Sequence, residues 1–244
     1  MDAGGRAVLT FIPGEAHAGW PDPLPQWMFE DELTLTAAAK LLRRYHDSLD
    51  GFEPPPDAHW RFVAPVVHEV ICHNDWSPGN ALFRGHLPIV MLDWDSAGPG
   101  SRAWDLASSA YRWVPLNPRV TPPSLADKAA RLALFCDAYG SGIAVQVVLD
   151  TLTELLPVQA DVIQAGADAG DLSFAKARRL EDTGCSPRGR RSSCPRAGSA
   201  LRPHMIEALT HCRSRSARRI RMRCSGSGSS GTRASLNHTK PAFS

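Results

Sequence analysis

No apolar run in the 244 residues approaches the roughly 18 consecutive positions that a membrane-spanning helix needs. The first residues, MDAGGRAVLTFIPG, have neither a basic lead nor an apolar core long enough for a secretory signal, so the expected compartment is the cytoplasm. Cysteine is sparse, six in all, and four of them (Cys185, Cys194, Cys212, Cys224) fall in the last quarter. Their gaps contain no C-x₂₋₄-C pair, which argues against a structural zinc site. Large aliphatic residues are few and aromatic ones nearly absent after Glu181, where 12 Arg and 12 Ser are interspersed with Gly, Pro and Cys. Such a stretch cannot bury enough apolar surface to offset its conformational entropy.

The near-neutral formal charge of +2 is a cancellation. Residues 1–180 hold 14 basic and 22 acidic groups, 14 − 22 = −8, whereas residues 181–244 hold 13 and 3, 13 − 3 = +10. The chain therefore reads as an acidic folded part and a basic tail. The tail is expected to be disordered, except for a short helix near Met205–His211. Three readings compete for it: a nucleic-acid-binding arm, which would work through phosphate contacts alone; a zinc site; and an out-of-frame or read-through extension. The third is preferred, because no local signal in the tail agrees with any other. Nucleic acid is accordingly not expected as a partner.

The acidic part is patterned. Ala7–Ile12 is a short apolar run ended by Pro13-Gly14, which suits a strand entering a turn. Leu35, Ala38, Leu42, Tyr45 and Leu49 recur at helical steps and predict a helix over Leu33–Leu49. After a Pro-rich break at Glu53–Asp57, Val66–Cys72 is a second strand candidate. Ala81–Phe83 and Ile89–Leu92 suit a strand pair turning at Gly85. A helix is expected over Ala103–Trp113. Another starts at Ser124-Leu-Ala-Asp127, a capping-box pattern, and runs to a glycine stop at Gly140. Ala144–Ala165 is expected to be helical but interrupted or kinked at Pro157.

The chemistry concentrates in Ile71–Ala107: His73-Asn-Asp75-Trp-Ser-Pro-Gly-Asn80, a strand pair, Asp93-Trp-Asp95, then Asp105-Leu-Ala. Phosphoryl transfer explains this combination. An Asp in a loop can take the proton of an attacking hydroxyl, and hard oxygen ligands can hold the magnesium that aligns a triphosphate. A tight hairpin between the two motifs would bring residues 75–80 and 93–95 to one edge. Asp75 or Asp93 alone would pass for an ordinary loop-capping acid; the ordered set with Asn80 does not. Asp95 either approaches the metal or caps the following turn. His73, flanked by apolar residues, is expected to be a hydrogen-bonded structural histidine. His46, His59, His68 and His86 show no partner pattern and are read as surface or packing residues, and Trp94, Trp104 and Trp113 as core.

This order of motifs resembles the catalytic and metal loops of the protein-kinase-like fold, and more narrowly the aminoglycoside phosphotransferase family. That family has HxDxxxxN followed by an Asp-Trp pair. Asp105-Leu-Ala and Leu9-Thr-Phe-Ile-Pro-Gly14, similar to an interlobe hinge, extend the resemblance over about residues 5–175. The resemblance implies an α+β fold: a mostly helical C-terminal lobe (15–180) with small β-hairpins around the loops, preceded by a hinge remnant (1–14) with a short hinge strand and followed by the basic tail (181–244). It also implies Asp75 as catalytic base, Asn80 and Asp93 as magnesium ligands, His73 and Asp105 as supports of the catalytic loop, and Phe11 and Ile12 as hinge contacts to the nucleotide.

The implied reaction moves the γ-phosphoryl of ATP (or GTP) to a hydroxyl of a small molecule, with Mg²⁺. The −8 balance of the acidic part is compatible with a cationic acceptor. The chain departs from the family in having no glycine-rich phosphate loop and no V-A-I-K-like strand; its one early lysine, Lys40, sits in a helical stretch. An N-terminal lobe is thus expected to be missing and activity impaired. The alternative is a non-catalytic remnant or binding protein that keeps only the lobe. A third reading is a metal-dependent hydrolase that uses His73, Asp75, Asp93 and Asp95 as a ligand cluster.

Overall fold

A computed structural model describes residues 10–17, 24–114, 116, 124–172 and 174–175. The tail from 181, the helix expected near Met205–His211 and the first three residues of the expected strand Ala7–Ile12 lie outside the described residues. What is described is α+β: helices around two small antiparallel sheets.

The described part of the expected strand, residues 10–12, is not a strand. Residues 10–14 carry no regular structure, and β1 is the two-residue Glu15–Ala16, paired with Phe83 and Leu82. Pro13 has no N–H for a ladder. Gly14 lies so close to Leu82 and the Phe83 carbonyl that a Cβ would stand 2.7 Å from each. The chain can therefore join the sheet only beyond this point.

A four-residue turn of helix, α1 (Trp27–Glu30), leads into α2 (Glu32–Ser48). Asp31 caps α2 by accepting the Leu33 N–H at 2.8 Å. The buried residues of α2, Thr34, Leu35, Ala38, Ala39, Leu42 and His46, follow the helical period and form one inward stripe. The second expected strand shortens to β2 (Val70–Cys72), because Val66 turns back to bond the Ala64 carbonyl and Val67 is exposed.

The hairpin forms as anticipated, with β3 (Ala81–Arg84) against β4 (Leu87–Met91) across Gly85, whose φ is +59°. Pro88 is tolerated because β4 is an edge strand and the register shifts beside it. β5 (Gly98–Gly100) pairs with β2.

α3 (Arg102–Trp113) starts at Ser101, whose hydroxyl accepts the Trp104 N–H, and eight of its residues are buried. α4 (Leu125–Tyr139) has the anticipated capping box between Ser124 and Asp127 and ends at Gly140 with φ +78°. α5 (Val145–Asp168) is not interrupted: the helix continues through Pro157, held by Leu152, Leu155 and Leu156 in the core. α3 lies among α2, α4, α5 and β2. The core there centres on Trp76, Trp104, Trp113, Phe135 and Tyr139, all essentially inaccessible to solvent. Among the described residues no helix is long and apolar enough to cross a membrane.

Candidate active site

The loop that follows β2 is built around one buried carboxylate. Asp105, in the first turns of α3, accepts the backbone N–H of His73 at 2.7 Å on one oxygen and that of Asn74 at 2.9 Å on the other. Asn74 takes a left-handed backbone (φ 62°), which asparagine tolerates better than most residues. Its amide donates to the Ser96 carbonyl and its own carbonyl accepts the Ser108 hydroxyl. His73 is fully buried. Its Nδ1 accepts the Asp75 N–H at 3.3 Å, so its Nε2 carries the hydrogen and donates to the Leu92 carbonyl at 3.0 Å. Both ring nitrogens are thereby used, and the ring ties the loop to the far end of the hairpin.

Asp75 lies where these restraints converge, with its side chain 38% exposed. Asn80, at the end of a single 3₁₀ turn begun by Pro78, donates its amide to the Asp75 carbonyl at 2.9 Å and to Oδ2 at 2.8 Å. The amide oxygen of Asn80 accepts nothing among the described residues. The Asn80 carbonyl accepts the Leu92 N–H, so the hairpin does bring residue 80 beside the 92–93 segment. Asp93 follows with φ 59°, exposed, its carboxylate without a hydrogen bond among the described residues. A free amide oxygen and a free carboxylate are the hard donors that a magnesium ion takes.

Other assigned residues stand apart. Asp95 is exposed and faces Arg61 at 3.8 Å. Phe11 and Ile12 lie before β1, the first almost wholly exposed and the second partly so. Trp94 is not core: it is 40% exposed, its ring 4.4 Å from that of His73 and 4.8 Å from that of Tyr45, while Trp104 and Trp113 are buried as expected. The hydrolase cluster does not form. Among the described residues no group of three or more His, Cys, Asp or Glu could hold a metal, and His73 has no nitrogen to spare.

Sequence reasoning missed His46 and Arg112. His46 is fully buried on α2. Its Nε2 meets Asp105 Oδ2 at 3.0 Å and its Nδ1 meets the Tyr139 hydroxyl at 2.7 Å, which joins α2, α3 and α4 behind the loop. Burial alone would push the Asp105 carboxyl up. The His46 hydrogen bond, the electrostatic influence of the His46 and His73 rings and the His73 backbone N–H outweigh it and hold the group below its ordinary range. The same burial, with the Asp105 charge, pushes the Cys72 thiol and the Tyr45 phenol up. Arg112, near the end of α3, places Nε 2.8 Å from Asp75 Oδ1. Its signal was helical spacing: Asp105, Ser108 and Arg112 fall at steps of three and four on one face.

Asp75 is thus held by an amide and a guanidinium, and Asn80 is joined through its backbone to the segment that carries Asp93. The model of the phosphotransferase enzyme family matches residues 12–140, and the chain belongs to that family. The trifolitoxin immunity protein of Rhizobium leguminosarum bv. trifolii is 32% identical over 152 residues, which cover 57% of this chain and 54% of that protein. The chain thus spans about half the length of this curated relative. No solved structure matches.

Proposed function

We propose that the chain carries the catalytic part of a phosphotransferase that moves the terminal phosphoryl group of ATP (or GTP) to a small-molecule hydroxyl. The observation that carries this is Asp75: a part-exposed carboxylate held by Asn80 and Arg112, with the Asn80 carbonyl bonded to Leu92, next in sequence to Asp93. As the acceptor oxygen bonds to the γ-phosphorus and the bond to the bridging β,γ-oxygen breaks, the hydroxyl proton goes to Asp75 and the nucleoside diphosphate leaves. Asn80 and Asp93 would hold magnesium, which neutralises the triphosphate when bound. His73 and Asp105 act only through the loop backbone, as supports. Phe11 and Ile12 would contact the nucleotide from the segment before β1.

The test is magnesium-dependent ATP hydrolysis by the full chain, with water standing in for the acceptor. Turnover is expected to be slow, and about 10²–10⁴-fold slower still in Asp75→Ala, the usual contribution of a general base. Equal rates in the two proteins would sink the proposal.

A second reading, a binding protein that does no chemistry, draws on the relative's name as an immunity protein and on the ion pair that already engages Asp75. Calorimetry with Mg-ATP separates the two. Heat of binding at millimolar nucleotide supports the enzyme, and its absence supports the binding protein.

A further inference from the structure

We infer that Arg112 is the positioning residue of this site, which holds the Asp75 carboxylate in the orientation that receives a proton; the inference rests on Asp75 being the base. Arg112 is not an ordinary surface partner. Its Nε lies 2.8 Å from Asp75 Oδ1 as an ion pair, while its Nη1 donates to the Ser108 carbonyl at 2.9 Å and the Ser108 hydroxyl at 2.8 Å. The planar fork is therefore fixed at two edges to its own helix and the loop, and the side chain is only 24% exposed. Ser108 is itself immobilised, since its hydroxyl donates to the Asn74 carbonyl and accepts from Gln159 on α5 at 3.3 Å. Three elements, α3, α5 and the loop after β2, thus fix the guanidinium before it touches Asp75.

The consequence is stereochemical. A carboxylate offers about four lone-pair directions. Asn80 takes one on Oδ2, and the Arg112 guanidinium stands against Oδ1 as an ion pair. With Asn80 alone, the carboxylate could turn about its terminal bond, a broad, soft torsion. With both partners, a turn also pulls Oδ1 away from the fixed guanidinium. Misplacement of a reacting group by about 1 Å costs on the order of 10²-fold in rate, so a fixed orientation is worth that much to a base on a loop. The surface pair Arg43–Asp47 offers the contrast: its side chains are 34% and 47% exposed and serve no reacting atom.

The experiment compares ATP hydrolysis by the full-length wild type, Arg112→Gln, Arg112→Lys, Asp75→Asn and the Asp75→Asn/Arg112→Gln double variant, with thermal unfolding of each. Arg112→Gln should lower kcat about 10- to 100-fold with KM for Mg-ATP unchanged, and Arg112→Lys should recover part of it. The double variant should be no slower than Asp75→Asn, because Arg112 acts only through Asp75. Wild-type kcat in Arg112→Gln, or an Arg112 effect that persists in full without Asp75, would overturn the inference and leave the phosphotransferase reading intact. If Arg112→Gln fails to fold, Arg112→Lys decides: a reduced kcat at an unchanged KM supports the positioning role, and a wild-type kcat overturns it. Absence of magnesium-dependent hydrolysis in the wild type, or Asp75→Asn as active as the wild type, removes the reading and the inference together.

Discussion

Replacing Asp105 by Asn tests the frame behind the site. The carboxylate is wholly buried and accepts three hydrogens: His73 N–H and His46 on Oδ2, and Asn74 N–H on Oδ1. An amide keeps the shape but turns one oxygen into a donor. Its best orientation keeps the two bonds to the Oδ2 position and sets an NH₂ against the Asn74 N–H. That loses one charge-assisted bond, about 1.5–3 kcal/mol, and leaves a buried N–H unsatisfied, about 1–3 kcal/mol. A loss of about 3–5 kcal/mol is expected, as for removal of one partner from a buried ion pair.

For a domain of this size that lowers the unfolding midpoint by roughly 6–20 °C. Acid response supplies an independent signature. Because the folded-state value of Asp105 lies below the ordinary 3.8, its stabilisation is complete above that value and lost as the pH falls through the folded one. Wild type should therefore lose stability more steeply than Asp105→Asn below about pH 4. Urea titrations at neutral and acid pH measure both. A loss under about 1 kcal/mol at neutral pH, or identical acid limbs, would refute the reasoning.

Two further predictions concern the scaffold. A Cβ at Gly98 would overlap the Phe62 carbonyl oxygen, a backbone atom that cannot swing aside, so Gly98→Ala should cost about 1–3 kcal/mol or more in urea unfolding. Lys128 on α4 is 6% exposed with no ion-pair partner among the described residues, and burial pushes its ammonium below the ordinary 10.5. Lys128→Met should leave the unfolding midpoint unchanged or raise it. Relative to Lys128→Met, wild type should gain stability as the pH climbs toward 10.5, because Lys128 then binds more protons in the unfolded chain than in the folded one.

Much of the frame is legible locally. α2, α3 and the hairpin follow from apolar periodicity and turn chemistry, and the start of α4 from Ser124 and Asp127, because each depends on neighbours a few residues away. Where tertiary contacts compete, local reading fails. The run 7–12 is apolar enough for a strand, yet its residues 10–12 stay irregular, and among the described residues pairing begins at Glu15, beyond the close approach of Gly14 to β3. Pro157 removes a hydrogen bond from α5, but the helix is held by the three leucines around it, whose burial no local rule counts. Trp94 resembles its buried counterparts by composition, and only its place on the loop after β4 leaves it exposed over His73.

The same division runs through the site. The order of His73, Asp75, Asn80, Asp93 and Asp105 is a linear pattern, so the amino-acid sequence alone tied the chain to its family and named the residues of the proposed site. The partners that restrain those residues come from elsewhere in the chain. His46 lies on the apolar stripe of α2, where a histidine reads as packing until Asp105 is placed against it. Arg112 reads as the last turn of a helix until Asp75 meets it. Hydrogen bonds and ion pairs act over about 3 Å whatever the separation along the chain, so which groups meet was decided by how α2, α3 and the hairpin pack together.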